Sequence, residues 1–175
     1  ATNGNYKVKV ENGTYTITAR EMTVVADNKS SVYGDRILDN TELTVSIING
    51  TVADGEELSD LGFELSKAEG KDAGDYAITG TASNGNYKVE VVPGTYTITP
   101  REMTVVAEDK SSVYGDRILD NTELTVAVVE GTLGYEDKLS DLGFELTREI
   151  PEGSNGKDAG SYVISGTASN GNYKV

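Results

Sequence analysis

The chain has 175 residues with no Cys, no His and no Trp, and it carries 29 Asp and Glu against 15 Lys and Arg, a formal charge of −14. The missing residues exclude disulfides, Cys- or His-ligated metals and any catalytic arrangement built on an imidazole. The acidic surface is a poor partner for nucleic acid or an anionic membrane, and no apolar run approaches the ~20 residues that cross a bilayer.

In chain order, the first pattern is Gly13-Thr14-Tyr15-Thr16-Ile17-Thr18, where Tyr15 and Ile17 alternate with threonines as in a strand. Tyr6 and Tyr15 fall on the apolar parity and are expected in the core. Met22, Val24 and Ala26 alternate with Thr23 and Val25, and Leu43, Val45 and Ile47 alternate with Thr44 and Ser46. Gly55–Leu61 and, later, Gly134–Leu142 have room for only a turn or two of helix. Phe63 with Leu65 continues the strand series, and Tyr76 begins another apolar parity. Tyr87, Val89 and Val91 then alternate with Lys88 and Glu90, and Tyr96 lies in a second Gly-Thr-Tyr-Thr-Ile-Thr. Tyr76, Tyr87 and Tyr96 are assigned to the core. Asn12-Gly13 occupies the slot that holds Pro93-Gly94 in the next copy. L-Pro cannot take positive φ, so that slot predicts a longer turn or a bulge rather than a two-residue hairpin.

The whole pattern repeats. The stretch from Arg20 to Thr51 returns nearly unchanged from Arg101, and Asn84-Gly85-Asn86-Tyr87-Lys88-Val89 returns at 170–175 and also stands at 3–8. Two domain frames follow. One is permuted, with domains at 1–81 and 82–175, and is preferred. The other reads 1–18 as the tail of a preceding repeat, 19–99 as a complete repeat and 100–175 as a repeat without its last strand. The opening Ala, in place of Met, reads as a segment cut from a longer protein. Each repeat should hold six or seven short strands. Without crossover helices these are expected to be antiparallel and to stack as two sheets. The fold expected is all-β, two tandem small antiparallel β-sandwiches placed end to end, with a β-grasp-like arrangement as the alternative.

Asp72-Ala73-Gly74-Asp75-Tyr76 and Asp158-Ala159-Gly160-Ser161-Tyr162 have the spacing of the tyrosine corner of immunoglobulin-like sandwiches, in which a Tyr hydroxyl returns to backbone upstream. Asp72, Gly74, Tyr76, Asp158, Gly160 and Tyr162 are therefore the structural candidates. Tyr33-Gly34-Asp35 within its surrounding motif, Lys71-Asp72-Ala73-Gly74, the Asn-Gly-Asn-Tyr-Lys-Val segment and the closing Gly-Thr-Tyr-Thr-Ile-Thr together resemble the repeats of bacterial surface proteins called MBG ("mostly beta, glycine-rich") domains. The resemblance spans essentially the full chain, twice. It implies a secreted, multi-repeat, adhesin-like protein at the bacterial cell surface or wall, with these units in its stalk. It implies no catalytic or ligand-binding residues. Members of the family often place Pro soon after Tyr-Gly, where this chain has Arg36-Ile37-Leu38.

Three sets of residues have the chemistry of a site, and each also has an ordinary structural role. Asp35, Asp39, Asn40 and Glu42, with Asp116, Asp120 and Glu123, supply oxygens of the kind calcium takes, without EF-hand spacing. Lys29, Lys71, Lys110 and Lys157 with Asn40, Asn86, Asn121 and Asn172 are the residue types of an isopeptide staple. Tyr135 replaces Asp54 in one copy only and reads as an exposed contact residue. Solvated acidic loops and exposed lysines explain the first two sets without a site, so no metal and no cofactor is expected.

Only Pro100 separates Thr99 from Arg101 at the junction between copies, and Pro fixes φ. Thr99, Pro100 and Arg101 thus read as a stiff linker. The expected function is a non-catalytic stalk or spacer, a semi-rigid rod that projects a distal binding region. The alternative is a carbohydrate- or protein-binding accessory module of an extracellular enzyme. Expected partners are neighbouring repeats, a host or cell-surface ligand reached through regions outside this segment, and head-to-tail strand exchange between molecules.

Overall fold

The structure, a computed structural model, describes residues 4–175. The first repeat contains β1 (Arg20–Ala26), β2 (Lys29–Val32), β3 (Val45–Asn49), β4 (Phe63–Lys67), β5 (Gly74–Ala82), β6 (Tyr87–Val92) and β7 (Gly94–Thr99). They form a three-stranded sheet in the order β3-β1-β6 and a four-stranded sheet in the order β2-β7-β5-β4. Period-two alternation decides what is buried. Met22, Val24 and Ala26 of β1 turn inward, as do Tyr96 and Ile98 of β7. Single 3-10 turns at Asn40–Glu42 and Leu58–Leu61 link the strands. The second lies in the stretch expected to be helical, and Gly62, at φ 63°, ends it in the left-handed conformation that glycine adopts without strain.

The sheets are mixed, which corrects the expectation of antiparallel pairing. β1 runs parallel to β6, and β2 runs parallel to β7. A parallel pair needs a long connection but not a helical one. Here β3, β4 and β5 themselves make the crossover. The register is continuous, Arg20↔Tyr87 in one sheet and Lys29↔Tyr96 in the other. Two long strands therefore bend together from the first sheet into the second. Pro93 sits at the bend of one of them, so the Pro-Gly slot is a sheet-to-sheet corner and not a hairpin. A Cβ on Gly94 would overlap the Ala26 carbonyl oxygen, so the close passage of the two strands requires glycine there.

In the second repeat, β8 (Arg101–Glu102) and β9 (Thr104–Ala107) replace β1, β10 (Val126–Glu130) replaces β3, β11 (Glu145–Arg148) replaces β4, β12 (Ile164–Thr167) replaces the later part of β5, and β13 (Tyr173–Lys174) replaces β6. The 3-10 turns return at Asn121–Glu123 and Leu139–Leu142. The pairs β13–β8, β10–β9 and β11–β12 follow those of the first repeat. The four-stranded sheet is reduced to the β11–β12 hairpin. Lys110–Val113, which matches β2, and residues 160–163, which match the start of β5, form no strand. In the first repeat both of those edges pair with β7.

Residues 6–19 form no strand or helix and are exposed. The strand expected at 14–18 is thus not formed, and Tyr6 and Tyr15 are not core: Tyr15 is 90% exposed. Alternation marks one face as apolar, but only a neighbouring strand and sheet can bury it. Tyr87 and Tyr96 are buried as expected, whereas Tyr76 is half-buried. Hydrogen bonding joins residues 20–82 to 87–99 through β1–β6, β2–β7 and β5–β7. Strand pairing therefore follows the frame 19–99 and cuts across the boundary at 81/82.

Ile78 is fully buried in the cluster with Tyr96 and Ile98, and its counterpart Ile164 is only half-buried. Ile78→Ala is expected to cost about 2–5 kcal/mol, the range for large-to-small changes in packed cores, and Ile164→Ala clearly less. Urea unfolding of the two variants checks the order, and equal losses would contradict the difference in packing.

Candidate functional site: the junction between the repeats

β7 ends at Thr99 and β8 begins at Arg101, so the two repeats abut. The tip that follows β2, Tyr33-Gly34-Asp35, projects from the first repeat into the second. Tyr33 is 4% exposed and belongs to an apolar cluster that holds Met103, Leu142 and Tyr173 of the second repeat. Its ring stands edge-on to Tyr135, with centroids 5.2 Å apart, and to Tyr173, 5.4 Å away. Such T-shaped pairs add about 0.5–1.5 kcal/mol each beyond the area they bury. The Tyr33 and Tyr173 hydroxyls both donate to Asp137 Oδ2, at 2.9 and 2.7 Å, and the Gly134 N–H donates to the Tyr173 hydroxyl at 2.8 Å.

Two further contacts fix the pose. Arg101 Nε donates to the Tyr33 carbonyl at 2.7 Å, while its guanidinium pairs with the Asp35 carboxylate. On the other side, Asn172 Oδ1 accepts from the Ala73 N–H at 2.6 Å and Asn172 Nδ2 donates to Asp72 Oδ1 at 2.9 Å. The backbones nearly touch at Gly34 and Gly134. A Cβ on Gly134 would lie 2.9 Å from Gly34 Cα and 3.2 Å from the Tyr33 ring. The first repeat has Ala53 at the matching position.

Burial pushes the Tyr33 phenol up to about 12, helped by its hydrogen bond to Asp137 and by that residue's charge. Tyr173 is raised in the same way, first by burial and then by Asp137. Both phenols are thus held neutral, as donors to one carboxylate.

The sequence candidates lie as follows. Tyr76 Oη donates to the Asp72 carbonyl at 2.8 Å, and Tyr162 Oη donates to the Asp158 carbonyl at 2.9 Å, each four residues upstream. Gly74 opens β5, and Gly160 stands at the matching place in the second repeat. Asp72 has a second role at the junction that its spacing did not announce. Tyr135 is 47% exposed and takes up φ 47°, uncommon for a non-glycine residue. It faces Tyr33, with Lys71 of the first repeat 5.6 Å over its ring, so its contacts are internal.

Of the acidic set, Glu42 is held by Arg36 in a two-bond pair and accepts from the Asp39 N–H, and Glu123 repeats this with Arg117 and Asp120. Among the described residues no group of three acidic side chains gathers as a metal site. Asn40 and Asn121 accept from the backbone N–H groups of Lys67 and Arg148, and Asn172 is engaged at the junction. Asp137 was not singled out by the sequence, and the junction roles of Tyr33, read only as part of the repeat motif, and of Asn172, read only as an isopeptide residue type, were not foreseen. Their one signal was the exchange of Ala53-Asp54 for Gly134-Tyr135, which falls where one copy meets the copy before it.

The fold and the junction define a class: an all-β chain of tandem repeats in which a Tyr-Gly tip of one copy docks on the next. The sequence signature described as MBG domain (YGX type) matches residues 22–97 and again residues 103–175, and the chain belongs to that family. No curated protein and no solved structure matches it.

A phenol held neutral by the fold stabilises it fully below the unfolded value, about 10, and that contribution is lost as pH rises through about 12. Ultraviolet titration of the tyrosines is expected to show a late component at about 12 that disappears in Tyr33→Phe. A titration unchanged by the substitution would contradict the burial of this phenol at the junction.

Proposed function

We propose that these repeats are a non-catalytic spacer in a bacterial cell-surface protein, a semi-rigid rod that holds a distal binding region away from the cell. The observation that carries this reading is the docked junction. One residue links the repeats, it is Pro100, and the Tyr33 tip is locked by Tyr135, Tyr173, Asp137 and Arg101. A pair joined in this way resists hinging, because any swing must expose Tyr33 and break its hydrogen bond. The chain's acidity suits an exposed, soluble stalk, and family membership agrees with a repeat module of a surface protein. Extracellular placement and adhesion belong to this proposal.

The test is small-angle scattering. The native chain is expected to give an extended profile of a single, well-defined length, and Tyr33→Ala to broaden it toward a flexibly hinged pair. A native profile that is already freely hinged, or folded back on itself, would sink the reading.

A further inference from the structure

The junction joins two copies of one sequence, and most of what it uses is common to both. The tip is Tyr33-Gly34-Asp35 in the first repeat and Tyr114-Gly115-Asp116 in the second. On the receiving side, Arg101, Asn172 and Tyr173 have Arg20, Asn86 and Tyr87 as their counterparts. The copies part at one loop: Gly134-Tyr135-Glu136-Asp137 stands where the first repeat has Ala53-Asp54-Gly55-Glu56. We propose that residues 134–137 select the neighbour. A repeat with Gly-Tyr-Glu-Asp in this loop receives the Tyr-Gly tip of the copy before it, and a repeat with Ala-Asp-Gly-Glu does not, so the order of copies along the rod is not interchangeable. This deepens the spacer reading and rests on the docked junction that carries it.

The two loops are built alike. The Ala53 N–H donates to the Tyr87 hydroxyl at 2.8 Å, and the Gly134 N–H donates to the Tyr173 hydroxyl at 2.8 Å. Each loop then closes with the same turn bond, from the Glu56 N–H to the Ala53 carbonyl and from the Asp137 N–H to the Gly134 carbonyl, both at 3.1 Å. Gly134 does not have positive φ, so its backbone would accept an alanine. What excludes alanine is the tip. Its Cβ would lie 2.9 Å from Gly34 Cα and 3.2 Å from the Tyr33 ring, and the first of these is backbone that cannot rotate aside as a side chain would.

A second mark lies in the turn itself. In the first repeat the residue with positive φ is Gly55, at 84°, which bears it without strain, and in the second it is Tyr135, at 47°. A non-glycine residue holds that conformation at a cost, and such outliers persist where their surroundings fix them. Here the tip does so: the Tyr135 ring stands edge-on to Tyr33, and Lys71 of the first repeat lies over its face. Asp54, in the same place, offers no ring. Asp137 accepts from both Tyr33 and Tyr173 with one oxygen, whereas Glu56, one methylene longer, accepts from Tyr87. Each of the three exchanges meets Tyr33 or Gly34. None is required by the fold of a repeat, since the first repeat folds without them.

The chain has no Cys, so spin labels on Glu64→Cys and Glu145→Cys, matching exposed positions of β4 and β11, report the distance across the junction. Double electron–electron resonance on the full chain is expected to give one narrow distance. Replacing residues 134–137 by Ala-Asp-Gly-Glu, a loop that the first repeat already folds, should broaden that distribution with circular dichroism unchanged. It should also remove the late phenol component at about 12. Gly134→Ala alone should do most of this, and Tyr135→Phe, which keeps the ring, should leave both signals in place. A replaced loop that retains the narrow distance and the late phenol overturns the selectivity and leaves the spacer reading standing. A native distribution that is already broad defeats the junction, and both readings fall with it.

Discussion

The structure turns on the double pairing of β7. This strand lies between β2 and β5, donates and accepts along both edges, and carries Tyr96 and Ile98 into the core. Where it is present, the four-stranded sheet closes and Ile78 is sealed. In the second repeat, Lys110–Val113 form no strand although their sequence is identical to that of β2, Lys29–Val32. A strand is stable only when its backbone groups and its apolar face have somewhere to go.

The junction depends on the same strand, since β7 hands the chain to β8 across one residue. That short connection brings the tip after β2 against the second repeat, and the Tyr33 N–H donates to the Thr99 carbonyl at 2.9 Å. The docked tip is held by complementary means: edge-on aromatic rings, a shared carboxylate and an arginine that reaches both a carbonyl and a side chain. None of these is large alone. Together they make the contact specific, because the Asp137 carboxylate is best satisfied when both phenols face it. The glycine pair at the closest approach sets the distance, and only a copy with glycine at that place admits this spacing.

Much of the fold was legible in the residues. The alternation of Met22, Val24 and Ala26 marked β1 and its buried face, the repeated motifs marked the copies, and the tyrosine-corner spacing anticipated the hydroxyl-to-carbonyl bonds of Tyr76 and Tyr162. The parallel pairing was not legible, because alternation fixes which face is buried but says nothing of strand direction. Nor could it tell Tyr15 from Tyr96, which sit in identical hexapeptides. At the site, Pro100 was visible as the one residue between the strands that end at Thr99 and begin at Arg101. The junction roles of Tyr33, Asp137 and Asn172 were not, since the contacts of each are set only when the other repeat lies against it.

The sequence by itself determined the local terms: strand-forming segments, turns that need glycine, an acidic surface without thiol or imidazole, and two copies of one unit. These are properties of neighbours along the chain. The tertiary structure decided which strands pair, in which direction, and which tyrosines are buried, because each of those outcomes requires a partner far away in sequence. Tyr15 and Tyr96 show the division most plainly. Their covalent surroundings are the same, and only the presence of β2 and β5 on either side makes one of them core.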